Sequence, residues 1–258
     1  YVEEDYLKNE TFNLIDDYNS SKFSSKPLEI WLTEFNMLDN NNYRIGTWSH
    51  GLFNSIMALK YLETEAITKV ISHTLTSDGV YGNIFESTTG FKDVQCHGYP
   101  YGAPDDPRLI TGQWELTAVG NALSQISHAM QDAEKAWPLD FSGTAAQNHT
   151  LDLNGKYPFL YGWVFERASN NREVVLLNLG GDQSYNLELN AIFPSQIASA
   201  LSYEQITANN QSYAITGTAV LNSTASNQLK QTIGAASSNS FTGVNPYVRI
   251  QPFSVTRI

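Results

Sequence analysis

The sequence predicts an α/β segment followed by an all-β one, and three observations carry that expectation. Up to about residue 137, helix-like and strand-like stretches alternate in the order α-β-α-β-α, the pattern of parallel strands joined by crossover helices. From residue 138 to the end, short strand-like runs follow one another with Gly, Asn and Ser clusters between them, the pattern of an antiparallel β-sandwich. The chain of 258 residues is 41% hydrophobic and 16% charged, which gives it material for a core and no sign of general disorder. The expected domains are therefore 1–137 and 138–258.

Taken in order, EEDYLKNETFNLIDDYNSSKF is helix-like from Tyr6 to Tyr18 and stops at NSS. LEIWLTEF, Leu28 to Phe35, is a strand, and a polar loop carries the chain to about Gly46. In TWSHGLFNSIMALKYLETEA, Leu52, Phe53, Ile56, Leu59 and Leu62 recur at helical spacing, with Thr47 or Ser49 placed to cap the start. AITKVISHTLT is short and β-branched, as a buried strand is. A Gly-, Pro- and Tyr-rich loop fills Ser77 to about Trp114. The next helix has a clear stripe of Leu116, Val119, Leu123, Ile126 and Met130, with Asn121 off it. Beyond AEKAWPLDFSG come the runs YPFLYGWVFER, REVVLLNLGG, SYNLELN, SALSYEQIT, SYAITGTAVLN and NPYVRIQPFSVTRI. STASNQLKQTIGAASSNSFTG is low in complexity and reads as a long surface loop.

Charge and cysteine content narrow the function. A net charge of −11 repels phosphate backbones and anionic lipid, so neither nucleic acid nor a membrane surface is an expected partner. Cys96 is the one cysteine, so no intrachain disulfide forms, which is compatible with secretion. No stretch has the roughly 18 apolar residues that a membrane span needs. The opening YVEEDY has neither a methionine nor a signal peptide, as in a mature, processed or partial chain. Asn9, Asn19, Asn148, Asn210 and Asn222 lie in N-x-S/T sequons, which chance explains in a chain so rich in Asn, Ser and Thr.

Chemistry is expected where the first strand ends. Side chains alternate along a strand, so Ile30, Leu32 and Glu34 share one face and Trp31, Thr33 and Phe35 the other. In a closed α/β barrel one face fills the interior, and the last inward residue stands at the mouth where barrel enzymes hold their chemistry. A half-buried glutamate there serves as nucleophile or general acid/base. The plainer reading is a glutamate that has left the core at a strand end.

WLTEFN resembles the nucleophile strand of retaining glycoside hydrolases of the large (β/α)8 clan, in which an apolar-Thr/Asp-Glu-aromatic/apolar-Asn segment on strand seven presents the nucleophile. GLFNSIMALKYLE, ITKVISHTLT and TAVGNALSQISHAM look like helix seven, strand eight and helix eight of α-L-arabinofuranosidases and their relatives. VVLLNLGG and PYVRIQPFSVTRI look like the β-sandwich that follows the barrel. The resemblance implies the last βα units of a (β/α)8 barrel, incomplete in this chain, followed by an antiparallel β-sandwich. It implies Glu34 as nucleophile, Asn36 as a substrate contact, a poly- or oligosaccharide substrate, a secreted or periplasmic location and no cofactor. Such chemistry needs two carboxyl groups about 5–5.5 Å apart. The clan's proton donor is a Glu, usually after Asn, at the end of strand four. This chain has no room for strands one to five, so the donor is expected in an upstream segment that completes the barrel. Glu86 is the one tolerable substitute within the chain, and Glu115 lies beside the same loop.

Other candidates carry two readings each. Trp48 and His50, at a helix start, either rim a sugar subsite or pack that start. His73 either reaches substrate or Glu34 from the inner face or sits satisfied in the core. The loop DVQCHGYPYGAPDD gathers Cys96, His97, Tyr99, Tyr101, Asp105 and Asp106 at spacings that match no structural zinc pattern, so no metal is expected. As a rim loop it would offer tyrosines to a sugar. Tyr157, Tyr161, Trp163 and Phe165 share a face and are core by default, or an exposed platform for polysaccharide. The competing function is a non-catalytic carbohydrate-binding or domain-packing module.

Overall fold

The computed structural model describes residues 13–21, 28–37, 47–64, 66–73, 75, 82–87, 113–143, 148–150, 156–168, 171–181, 183–193, 201–208, 229–238 and 246–258. Helix α1 (Asn13–Ser20) precedes strand β1 (Ile30–Phe35), helix α2 (Trp48–Tyr61) and strand β2 (Ile67–Ser72). β1 and β2 pair in parallel across the α2 crossover. A hairpin of β3 (Ile84–Ser87) and β4 (Gln113–Leu116) comes next, then helix α3 (Ala118–Met130). The expected α-β-α-β-α order is present with a hairpin added before the last helix: β3 and the start of β4 fall within Ser77 to Trp114, which was expected as loop throughout.

Among the described residues, six strands then form one antiparallel sheet. They are β5 (Ala133–Pro138), β8 (Leu160–Arg167), β9 (Arg172–Asn178), β11 (Ser202–Ala208), β12 (Leu229–Ala235) and β15 (Ser254–Arg257), in the order β12-β11-β15-β9-β8-β5. The short hairpin β6 (Asn148–Thr150) and β7 (Lys156–Pro158) stands apart. A three-stranded sheet joins β10 (Tyr185–Glu188), β14 (Pro246–Ile250) and β13 (Ser237–Ser238).

The centre of the six-stranded sheet is buried on both faces, which is why β8 and β9 read as near-continuous apolar runs. On one face Trp163, Phe165, Val175 and Leu177 meet Trp48, Leu52 and Leu59 of α2 and Ala118, Ala122 and Ile126 of α3. On the other, Leu160, Val164, Val174 and Leu176 meet Tyr185, Val248 and Ile250 of the three-stranded sheet. The first core therefore crosses residue 138. The six-stranded sheet also takes up β5, ahead of that boundary.

Several expectations need correction. The face of α3 that packs inward is Ala118, Val119, Ala122, Ile126 and Ala129, with Asn121 buried beside them. Leu116 and Met130 lie exposed. Small residues are favoured because the helices cross closely: a Cβ on Gly51 of α2 would stand 2.6 Å from the Ala118 carbonyl oxygen. Strand β2 was expected to be buried, yet beyond Ile67 most of it is not. The stretch expected as a low-complexity loop holds β12 and β13; Leu229 is buried at the sheet edge while Lys230 and Gln231 face out. Trp163 and Phe165 are buried against the helices, which rules them out as an exposed platform. SYAITGTAVLN and the Cys96–Asp106 loop lie outside the described residues.

Candidate functional site

β1 does not keep strict alternation. Leu32 pairs with Val70 and Phe35 with Ser72, so three residues of β1 advance against two of β2. This bulge leaves Thr33 and Glu34 both exposed and turns Phe35 to the side of Leu32. That side faces α2, where the Phe35 ring meets Tyr61 edge-on at 5.9 Å. The opposite side carries Trp31 and its partner Lys69, whose ammonium sits 3.6 Å from the indole centroid. Ile71 is exposed on the same side, and Trp31 is 54% exposed.

Glu34 and His73 meet on this uncovered side, at the carboxyl ends of the two parallel strands. The His73 Nδ1 and Glu34 Oε2 are 3.1 Å apart, with the side chains 49% and 69% exposed respectively. The strand parity that the sequence left open is thus resolved in favour of a His73–Glu34 contact. Glu34 itself is more exposed than the half-buried position expected of it, because nothing among the described residues covers this side of the two-stranded sheet.

Behind the pair lies a buried polar knot. Asn36 donates its Nδ2–H to the carbonyl of His73. Its Oδ1 accepts from the Met37 N–H at 2.7 Å and the Asn54 Nδ2 at 2.7 Å, and lies 2.6 Å from His50 Nε2. The Met37 N–H can only donate and the His73 carbonyl can only accept, so the orientation of the Asn36 amide is fixed. It follows that His50 carries its proton on Nε2. His50 is fully buried, and burial pushes its pKa down to about 4, so the ring is neutral.

Helix α2 delivers this ring. The Thr47 side chain caps it by accepting from the His50 N–H, as the sequence indicated, and the i, i+4 spacing of His50 and Asn54 aims both at Asn36. Trp48 is 1% exposed and donates its indole N–H to the Phe253 carbonyl at 2.6 Å, in the turn between β14 and β15. Trp48 and His50 therefore offer no surface to a ligand in this chain, contrary to the subsite expectation. Trp48 ties α2 to the sheet, and His50 holds Asn36. Asn36 itself is turned toward α2 and the His73 backbone.

The knot was missed from sequence, where nothing singled out Asn54. The side chains of Glu86 and Glu115 lie outside the described residues, although β3 and β4 pair through them. Chemically, the site is a carboxylate oriented by one imidazole hydrogen bond. No group of three or more His, Cys, Asp or Glu side chains gathers as metal ligands among the described residues.

No family model matches the sequence, and no curated protein does. Solved structures resemble it in fold. A family 51 α-L-arabinofuranosidase from Bifidobacterium longum superposes with a TM-score of 0.60 at 9% identity, over 98% of this chain and 46% of that one. The GH51 arabinofuranosidase of Xanthomonas axonopodis pv. citri gives 0.55 at 12% identity, over 96% and 44%. The thermostable GH51 α-L-arabinofuranosidase of Thermotoga petrophila RKU-1 gives 0.52 at 11% identity, over 98% and 47%. The chain has a glycoside hydrolase-like fold. It spans less than half the length of these enzymes.

Proposed function

We propose that this chain is the part of a secreted retaining glycoside hydrolase that carries the nucleophile. In this reading β1, α2, β2 and α3 are the closing βα units of a (β/α)8 barrel, and the two sheets sharing a core are the β-sandwich that follows. Glu34 attacks the anomeric carbon of a polysaccharide or oligosaccharide, forming a glycosyl ester that water then hydrolyses. His73 orients the attacking carboxylate. The acid/base carboxyl lies in upstream strands that also cover the open side of β1 and β2.

The observation that carries the reading is the placement of Glu34 and His73. They meet at the carboxyl ends of parallel strands, on the side turned away from the crossover helix. That is the side a barrel encloses. The fold likeness to arabinofuranosidases twice as long supports an incomplete barrel and a carbohydrate substrate.

The test uses the chain extended by its upstream coding sequence and an aryl glycoside such as 4-nitrophenyl α-L-arabinofuranoside. Glu34→Gln is expected to lower kcat by at least about a thousandfold. In Glu34→Gly, added azide should restore turnover as a glycosyl azide, because the small anion fills the space of the lost nucleophile. Near-normal turnover in Glu34→Gln, or a product of inverted configuration from the unsubstituted enzyme, would end the proposal.

A further inference from the structure

We propose that Asn36 is a positioning residue: its amide clamps the ends of β1 and β2 together, and His50 and Asn54 are its anchor on α2. For the role in catalysis, the inference rests on the function proposed above; the clamp itself does not. The geometry is specific. Asn36 is two residues beyond Glu34, just past the end of β1, and its amide N–H holds the carbonyl of His73, the residue whose ring touches Glu34. The His73 N–H is in turn held by the Phe35 carbonyl at 2.9 Å. The His73 backbone is therefore gripped at both its N–H and its C=O by the two residues that follow Glu34. The Asn36 amide cannot rotate to let go, because its oxygen is engaged by Met37, His50 and Asn54.

Asparagine suits this post because the clamp needs a donor toward His73 and an acceptor toward α2 on one short, planar group. Aspartate would supply the acceptor and lose the donor. A neutral histidine with its proton on Nε2 serves as an anchor that donates without adding charge. The bulge in β1 explains the need for a clamp: where the ladder is irregular, between Leu32 and Phe35, backbone pairing alone fixes the strand end weakly.

The experiment is amide hydrogen exchange and histidine-ring NMR on the chain as it stands. Asn36→Asp keeps the oxygen that Met37, His50 and Asn54 use and removes the donor to His73. It should raise exchange at the His73 amide by about tenfold relative to amides of α3 and the six-stranded sheet, the factor that losing one hydrogen bond of about 1.4 kcal/mol gives. The nuclear Overhauser contact between the His73 ring and the Glu34 side chain should disappear with it. His50→Gln, which still offers an N–H, should leave both readouts near the parent. His50→Leu should behave as Asn36→Asp does, and it decides the matter alone where Asn36→Asp fails to fold.

Equal acceleration of all amides, or an unchanged His73, would overturn the clamp. In the extended enzyme, Asn36→Asp should lower kcat about a hundredfold with KM within about threefold. Loss of the function reading through Glu34→Gln leaves the exchange result intact, so the two failures are told apart.

Discussion

Buried, neutral His50 makes the stability of this chain depend on acid in a calculable way. Its pKa is lowered from 6.5 to about 4 by burial. In the unfolded chain the ring is exposed and takes a proton near pH 6.5. A base whose folded pKa lies below its unfolded value is protonated first in the unfolded state, so stability falls as pH drops from about 6.5 and stops falling near pH 4. The difference of about 2.5 units, at roughly 1.36 kcal/mol each, comes to about 3 kcal/mol. The measurement is urea unfolding from pH 7.5 to pH 4, on the parent and on His50→Gln, which retains an N–H for Asn36 and cannot titrate. Other acid-sensitive groups act in both proteins. Glu204 is one: burial raises its pKa, but hydrogen bonds from Arg257, Gln231 and Gln125 bring it below the usual carboxylate value. Its contribution cancels in the difference between the two curves. The gap between parent and variant is expected to shift by about 3 kcal/mol in favour of His50→Gln between pH 7 and pH 4. Parallel curves would refute the assignment of His50 as a neutral donor in a dry site.

Three further outcomes follow from particular contacts. Trp48→Phe keeps most of the apolar volume but removes the indole N–H donated to the Phe253 carbonyl, and should cost about 1–3 kcal/mol in urea unfolding. Gly51→Ala drives a methyl into the Ala118 carbonyl and should cost about 1–3 kcal/mol, readable as a lower Tm. Trp31→Ser should change the stability of this chain by less than about 1 kcal/mol, since the ring is already half in water. In a chain extended to cover that side it should cost about 3–5 kcal/mol by the same assay, as loss of a buried Trp does.

Much of the fold was legible because its signals are local. The helical spacing of Leu52, Ile56 and Leu59 and the β-branched run at Ile67 set α2 and β2 in place. The apolar blocks of β8 and β9 announced strands. What local pattern cannot carry is context. Asn121 looked like a surface residue because period alone does not show that Gly51 lets a second helix come close enough to enclose it. Strand alternation placed Glu34 on the side of Leu32, but the bulge put it on the other, and an extra residue in a ladder shows only against its partner strand. For Trp48 and His50 the sequence left two readings, a subsite rim or packing of the helix start, because the pattern around them does not show their depth. Their depth depends on Phe253, 205 residues away in sequence, and on Asn36.

On the proposed function, a nucleophilic carboxylate at Glu34 has two requirements, and they come apart at this site. One is orientation, which this chain meets: a strand end tied by Asn36, an imidazole on one carboxylate oxygen, and a helix that holds the knot from behind. The other is a dry, enclosed setting with a second carboxyl about 5–5.5 Å away, since electrostatic stabilisation of the transition state depends on excluding water. Nothing among the described residues supplies that setting to Glu34, whose side chain is 69% exposed. The side that is finished is the one α2 covers, and the side that is open carries Trp31, Ile71, Glu34 and His73 together. On the proposed function, upstream strands both cover the apolar groups and the paired carboxylate of this face, which no described residue covers, and bring the second acid. Orientation without enclosure is then why this chain alone is expected to hydrolyse little, and why the decisive activity measurements belong to the extended protein.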